Sequence, residues 1–475
     1  MNPAQPAPAL ALRGIVKRYP GVVAVDGVDL ELFPGEVHAL VGENGAGKST
    51  LSAIAYGELE PDAGSVTAHG SVGLVHQHFE LIGRLRVWQN VLLGREPHRG
   101  WRIDEAAARE RVREVARRNG LDIDPDAYVD TLPIGVQQRV ELLRELDREP
   151  SVLLLDEPTA ALAPAEIASF FATVVDLAAR GTAVMIVTHK LQEVMAYARR
   201  ITVMRHGAIV AQMDAAQTGV DEIARAMVGG DLPRIAERSA TVMIPCLRIA
   251  DLSAGDGESR ITSLSFDVRG GEIVGIAGVE GNGQTTLADA LAGIIKYAGT
   301  IARDGDAGIV PQDRQREALV MNWSLVDNAL LGRQHRPSSR HGALIDRAKA
   351  RAQTQRIVER FDIRTPGVDV AVRTLSGGNQ QKLVVGRALL DDPAFVLAYN
   401  PTRGIDVGAA ALVQSRLIEA RNRGAAVLLI SFELDELLTL ADRIFIMYRG
   451  TIVGEESRDG FDRAEIGRRM AGSQQ

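Results

Sequence analysis

The sequence predicts an α/β protein made of two tandem halves, each with a buried parallel sheet, a phosphate-binding loop and a helical insertion. Three observations carry this expectation. The glycine-rich segment GENGAGKST (Gly42 to Thr50) follows the apolar run Val37 to Val41 and leads into a helical pattern from Ser49. A second segment, GVEGNGQTT (Gly278 to Thr286), follows Ile273 to Ala277 and leads into a helix from Thr285. Strand, glycine loop and helix in that order is the context a phosphate loop requires. Finally, Thr188 to Ala211 matches Ser431 to Gly454 without a gap, so one plan is used twice.

Each half continues in the same way. A polar helical stretch opens at Asp104 or Asp346, acidic residues suited to accept hydrogen bonds from the first turn, and Asn119 with Gly120 closes the first. LPIGVQQR (from Leu132) and LSGGNQQK (from Leu375) keep the separation of the matched segments, whereas the glycine loops lie slightly closer together. The second half therefore carries a short insertion between loop and LSGGN. Val152 to Leu155 is continuously apolar, as a strand covered on both faces must be. Between the copies, Gly229 to Thr241 is polar, contains glycine and proline, and lacks apolar periodicity, which reads as a linker. The expected boundaries are a disordered stretch 1–8, a first domain 9–230, a linker 231–244 and a second domain 245–472.

Composition narrows the function. A chain of 475 residues, 46% hydrophobic, suits two or three domains with substantial cores. The balance of 54 basic and 61 acidic residues gives a net charge of −7 without a long basic run, which argues against nucleic acid as a partner. No apolar stretch approaches the roughly 18 to 20 residues of a membrane-spanning helix, and the start MNPAQPAPALALRG lacks a charged leader region. The chain is expected in the cytoplasm. Its single Cys246 excludes an intrachain disulfide and a cysteine metal site, and reads as a core residue.

The first half holds the charged chemistry. Gly42, Gly45 and Gly47 let backbone N–H groups curl around phosphate oxygens at a positive helix end; Lys48 can reach the terminal phosphates, and Ser49 can offer a hydroxyl to Mg2+. Asp156, after the Val152 to Leu155 strand, can hold Mg2+, and Glu157 can polarise an attacking water. In the second half, Gln284 replaces the loop lysine, Tyr399 and Asn400 replace the acidic pair, and Phe432 stands where His189 does.

Taken together, these motifs resemble the ATP-binding cassette (ABC) family over both halves, almost end to end. The resemblance implies two RecA-like P-loop ATPase domains, each with an antiparallel β subdomain and a helical insertion, using ATP and Mg2+. It implies that Tyr19 stacks on adenine, that Gly42, Glu43, Asn44, Gly45, Ala46, Gly47, Lys48, Ser49 and Thr50 hold the phosphates, and that Ser49, Gln77 and Asp156 hold the metal. Glu157, His189 and Gln77 become the expected catalytic residues. In this family the signature of one cassette meets the nucleotide of the other, so Ser376, Gly377, Gly378 and Asn379 would complete the site built on Lys48. The other site would be damaged on both faces, because its signature is LPIGV, with Pro133 in place of a serine.

Further implications concern partners. Without a membrane span, a cassette pair drives transport by docking on separate membrane subunits. The docking stretches would be Phe79 to Gly94, with Leu81, Ile82, Val87 and Trp88, and Ala318 to Gly332. Two fused cassettes with a degenerate second loop resemble the ATPase subunits of bacterial sugar and nucleoside importers. VHQHF, the LP-type signature and GNGQT lean toward the nucleoside branch, which works with two permease subunits and an extracytoplasmic binding protein. The chain would then sit peripherally on the cytoplasmic face of the membrane. A monosaccharide importer of the ribose or galactose type is the alternative. A soluble double-cassette ATPase acting on ribosomes or DNA would carry two intact sites and a charged linker or basic arm, and a non-enzymatic scaffold would not retain Lys48, Asp156, Glu157 and His189.

Overall fold

Continuous apolar runs become the inner strands of two six-stranded sheets. The computed structural model describes residues 7–20, 22–43, 45–76, 79–159, 162, 164–230, 236–239, 244–341, 344–470 and 472. They fall into two units, Met1–Leu232 and Pro233–Gln475. Across the first sheet the strands run Ala208–Asp214, Arg200–Arg205, Val37–Gly42, Ala183–Thr188, Val152–Asp156 and Val72–Val75. All neighbours are parallel except the first pair. A three-stranded antiparallel sheet adds Val22–Leu32, Leu10–Tyr19 and Ala63–Ala68.

The second unit repeats this order: Thr451–Ser457, Arg443–Tyr448, Ile273–Ala277, Ala426–Ile430, Phe395–Tyr399 and Ala307–Val310. Ile261–Arg269, Pro245–Ala254 and Tyr297–Arg303 form its antiparallel sheet.

Alternation along the inner strands sorts the cores. Val152 and Leu154 face the antiparallel sheet and pack with Leu51, Ile54 and Ala55 of the Lys48–Tyr56 helix, whereas Leu153 and Leu155 face the helical side with Phe171 and Val174. Each central strand therefore lies between two layers and ends, at its carboxyl end, in a glycine loop. That crevice is where open α/β sheets bind ligands.

Local details refine the sequence reading. The phosphate-loop helices begin one residue earlier than expected, at Lys48 and Gln284, because Gly47 and Gly283 take the left-handed cap position with φ of 99° and 101°. The Val152 strand carries its pairing on to Asp156. Asp104 and Asp346 cap their helices by accepting from Ala107 N and Lys349 N. Cys246 is half-buried rather than enclosed, its thiol directed at the Ala394 carbonyl 3.3 Å away. Of the apolar residues in the first candidate docking stretch, Val87 and Trp88 are core, Leu81 packs against that core, and Ile82 is exposed. The described linker residues 236–239 are bound to the second unit. Asn422 receives Ser239 N and donates to Glu237 O, and Arg238 donates to the Thr439 and Leu440 carbonyls. This segment has few apolar residues, so side chains of the unit it lies on satisfy its backbone groups.

One buried amide in each unit holds the loop that precedes the insertion. Asn328 accepts from Val320 N at 2.8 Å and donates to the carbonyls of Val320, Trp323 and Ser324; Asn90 does the same with Ile82, Leu85 and Arg86. Losing such an amide leaves several buried backbone groups without partners. Asn328→Ala is expected to destabilise the second unit by about 2 kcal/mol, read as a lowered urea midpoint with an unchanged slope.

Candidate functional site

The carboxyl ends of three adjacent parallel strands, Val37–Gly42, Ala183–Thr188 and Val152–Asp156, bring the candidate residues of the first half together. Gly47 closes the loop where no other residue fits, since a Cβ there would lie 2.1 Å from the Ala24 carbonyl oxygen. The turn directs Lys48 inward. Only 6% of it is exposed, and its ammonium donates to the carbonyl oxygens of Gly42 and Glu43, both at 2.9 Å. Burial lowers the lysine pKa, and Glu157, Asp156 and Glu43 act in the opposite direction.

The two acids respond differently to their common neighbourhood. Burial raises the Asp156 carboxyl, with Ser49 donating to it and Glu157 adding repulsion. Its Oδ1 is buried with no hydrogen-bond partner. For Glu157, burial acts upward, but the hydrogen bond and charge of His189, followed by Lys48 and Lys190, bring the carboxyl below the usual range. His189 Nδ1 lies 3.0 Å from Glu157 Oε1. Glu157 also holds a left-handed backbone, φ 46°, fixed by its N–H donating to Val187 O at 2.9 Å. Such conformations cost about 1 to 3 kcal/mol and cluster at functional sites.

Other expected residues fall as follows. Tyr19 ends the Leu10–Tyr19 strand, half exposed, where a ring can be stacked upon. Ser49 is exposed at the mouth of the loop. Asn44 and Gln77 lie outside the described residues. Sequence reasoning missed Thr159, whose hydroxyl donates to the Glu193 carboxylate at 2.7 Å and whose carbonyl accepts from Lys190. Its signal was available, because Thr402 bonds Glu436 at 2.9 Å in the equivalent place.

The match to known families agrees with this geometry. A family model described as ABC transporter matches residues 25–160 and again 261–403. The chain belongs to the ABC transporter family. It is an ATPase with two ATP-binding cassettes. Among relatives over nearly the full length is the nucleoside import ATP-binding protein NupA of Lactococcus lactis subsp. cremoris, 39% identical over 96% of this chain and 97% of that one. The ribose import ATP-binding protein RbsA 1 of Rubrobacter xylanophilus is 37% identical over 94% and 95%. Among solved structures, an archaeal ribosome recycling factor, aABCE1, in complex with the stalk protein aP1, superposes with a TM-score of 0.70 at 20% identity, covering 95% of this chain and 92% of that one. That likeness concerns the fold.

The second cassette keeps the backbone and changes the groups. Asn400 holds the same left-handed φ, 45°, with its N–H on Ile430 O at 2.7 Å. Gln284 is buried, and its Nε2 donates to Val279 O at 3.1 Å, as Lys48 does to Glu43. Tyr399 and Thr285 share a hydroxyl hydrogen bond of 2.8 Å. Burial pushes the Tyr399 phenol up to about 12, so no anion stands where the first cassette has Asp156. Phe432 packs edge-on against that ring, and Asn400 Oδ1 accepts from Phe432 N. A hard divalent cation is held by oxygen ligands, carboxylates above all; here a phenol stands in place of the Asp156 carboxylate, and the Thr285 hydroxyl is engaged with it.

The two signature helices also differ. Ser376 caps Gly377–Ala388, accepting from Asn379 N at 3.4 Å and Asn379 Nδ2 at 3.0 Å. Asn379 is engaged on its other side too, accepting from Arg364 N. In the first cassette Pro133 occupies the cap position itself, with no side-chain bond to the helix.

Asp156 yields a test of stability. Its raised pKa means that ionisation costs the nucleotide-free fold stability, a cost present at pH 7 and relieved as pH falls below the folded pKa. Asp156→Asn is expected to raise the thermal midpoint at pH 7, with the gain disappearing toward the ordinary carboxyl range near pH 4. Differential scanning fluorimetry across pH reads both effects.

Proposed function

We propose that this chain is the ATP-hydrolysing subunit of a bacterial importer, energising nucleoside uptake through separate membrane subunits at the cytoplasmic face of the membrane. The asymmetry between the cassettes carries the reading. Lys48, Asp156, Glu157 and His189 stand together at one phosphate loop, and Gln284, Tyr399, Asn400 and Phe432 at the other. Relatives named for nucleoside and guanosine import, at 39% and 37% identity, favour that cargo. Relatives named for ribose import, at 37%, support a monosaccharide as the second reading.

At the first loop, the backbone N–H groups around Gly45 and Gly47 and the Lys48 ammonium would bind the phosphates, and Tyr19 would stack on the base. Ser49 and Asp156, with Gln77, would hold Mg2+; their hard oxygens and the unsatisfied Asp156 Oδ1 suit it. When bound, the ion would neutralise phosphate charge. Glu157 would accept a proton from the attacking water, oriented by His189 through their hydrogen bond. Ser376, Gly377, Gly378 and Asn379 would close over the terminal phosphate. Pro133 has neither hydroxyl nor N–H for that task, so the loop around Gln284 would not support hydrolysis.

Two permease subunits would dock near Phe79 to Gly94 and Ala318 to Gly332, where Ile82, Leu93, Val320 and Trp323 are exposed. An extracytoplasmic binding protein would deliver the cargo to them. Among the described residues no helix is long and apolar enough to cross a membrane, which fits a path supplied by such subunits.

Substitution separates the two loops. Glu157→Gln or Lys48→Ala is expected to reduce ATP turnover by about a hundredfold or more, whereas Gln284→Ala changes it less than about twofold, within the loss of one weak interaction. A large loss from Gln284→Ala overturns the assignment. Uptake of labelled nucleoside against labelled ribose, with co-purifying membrane subunits in proteoliposomes, decides the cargo.

A further inference from the structure

In the helical insertion of the first cassette, His98–Arg99 pairs with Arg102–Ile103 in a short hairpin closed by a two-residue turn, Gly100 and Trp101. Gly100 takes the left-handed position, φ 69°, and leaves the tip to the tryptophan. Every residue from His98 to Ile103 is exposed. The Trp101 side chain is 85% exposed, and the guanidinium of its neighbour Arg102 lies 4.6 Å from the ring centre. This ring adds nothing to a core.

The surroundings of the ring are cationic. Arg99 and Arg102 make no ion pair among the described residues, and the carboxylates on the flanking chain are set back or engaged. Glu96 is half-buried, Asp104 accepts from Ala107 N at 3.1 Å, and Glu105 pairs with Arg109. The second cassette repeats the feature with other residues. Its hairpin, Arg340–His341 with Leu344–Ile345, leaves Leu344 76% exposed and Ile345 45%. Each hairpin runs directly into the aspartate that caps the next helix, Asp104 or Asp346. Exposed apolar side chains among basic residues at the same point of both halves differ from the single scatter of ordinary surfaces.

Two kinds of occupant fit an exposed tip. A protein hot spot needs a surrounding rim of contacts that excludes water, which a lone two-residue turn does not offer. A bilayer surface needs only a ring that settles among head groups and cations that meet their phosphates, the level at which tryptophan and arginine collect. The chain as a whole carries a charge of −7, so an anionic surface would attract it through local cations and thereby orient it.

We propose that the Trp101 hairpin is a lipid-binding element, its ring seated at the headgroup level of an anionic bilayer with Arg99 and Arg102 on lipid phosphates. The inference rests on the reading of this chain as a peripheral membrane subunit, and the hairpin begins just beyond the Phe79 to Gly94 stretch proposed for docking.

The experiment is flotation of the purified full chain with vesicles of phosphatidylcholine alone, or of phosphatidylcholine and phosphatidylglycerol in equal parts, with no membrane subunit present. Binding to the anionic vesicles only is expected. Tryptophan emission should shift to the blue in a Trp323→Phe chain, where Trp88 is already buried and the change reports Trp101. Arg99→Gln with Arg102→Gln is expected to weaken binding about tenfold or more, near fivefold for each charge, and Trp101→Ala by a comparable factor. Arg99→Lys with Arg102→Lys keeps the charge and should retain most of it. Binding that is absent, that ignores lipid charge or that survives the glutamine and alanine substitutions overturns the proposal. Loss of co-purification with membrane subunits in detergent on Trp101→Ala would assign the tip to a protein partner and overturn it as well. If the wild-type chain co-purifies with membrane subunits but does not float, the lipid assignment fails alone. If it does neither, the peripheral reading fails with it.

Discussion

A lysine ammonium enclosed at the foot of a helix is the constraint on which the first cassette depends. Lys48 is 6% exposed, and a buried cation survives only with partners close at hand. Two carbonyl oxygens of its own loop provide them at short range, and Asp156 and Glu157 provide a negative field. The glycines that allow the loop to fold over the ammonium, and the parallel strands that bring the acids near, follow from that requirement. The same neighbourhood moves the two acids in opposite directions. Asp156 is desolvated and left with an unsatisfied oxygen, whereas Glu157 gains a histidine. Carboxyls with separated proton affinities beside each other suit different tasks, which agrees with the cation-holding and proton-accepting roles proposed for Asp156 and Glu157.

In the second cassette the constraint is lifted by removing charge while keeping volume and hydrogen bonds. Gln284 reproduces the contact of the lysine with the loop carbonyl, and Tyr399 fills the place of the carboxylate with a phenol that satisfies Thr285. Phe432 and Asn400 complete a neutral set around them. Such replacements act together, because each side chain of the set is hydrogen-bonded to or packed against another of them or the loop they share.

Fold and site were legible in the sequence to different depths. The repeat, the glycine loops and the apolar strand runs fixed the two-unit α/β plan, since burial on both faces forces continuous apolar strands. Lys48, Asp156 and Glu157 were read from the two motifs and His189 from the family resemblance, and the structure gathers them at adjacent strand ends. Helix starts slipped by one residue because glycine caps act through backbone angle, which a residue pattern does not report. The stretch proposed for docking divided, with Val87 and Trp88 turned inward and Ile82 outward, because a five-residue helix is too short for its periodicity to be read.

Asn400 retains the left-handed turn of Glu157, although the carboxylate that gives the turn its purpose is gone. The bond from its N–H to the neighbouring strand is what maintains the turn, so its geometry belongs to the scaffold and not to the reaction. The second cassette thus keeps the backbone of the first under a different set of side chains. Restoring charge to it would be a matter of exchanging several side chains together, without rebuilding this turn.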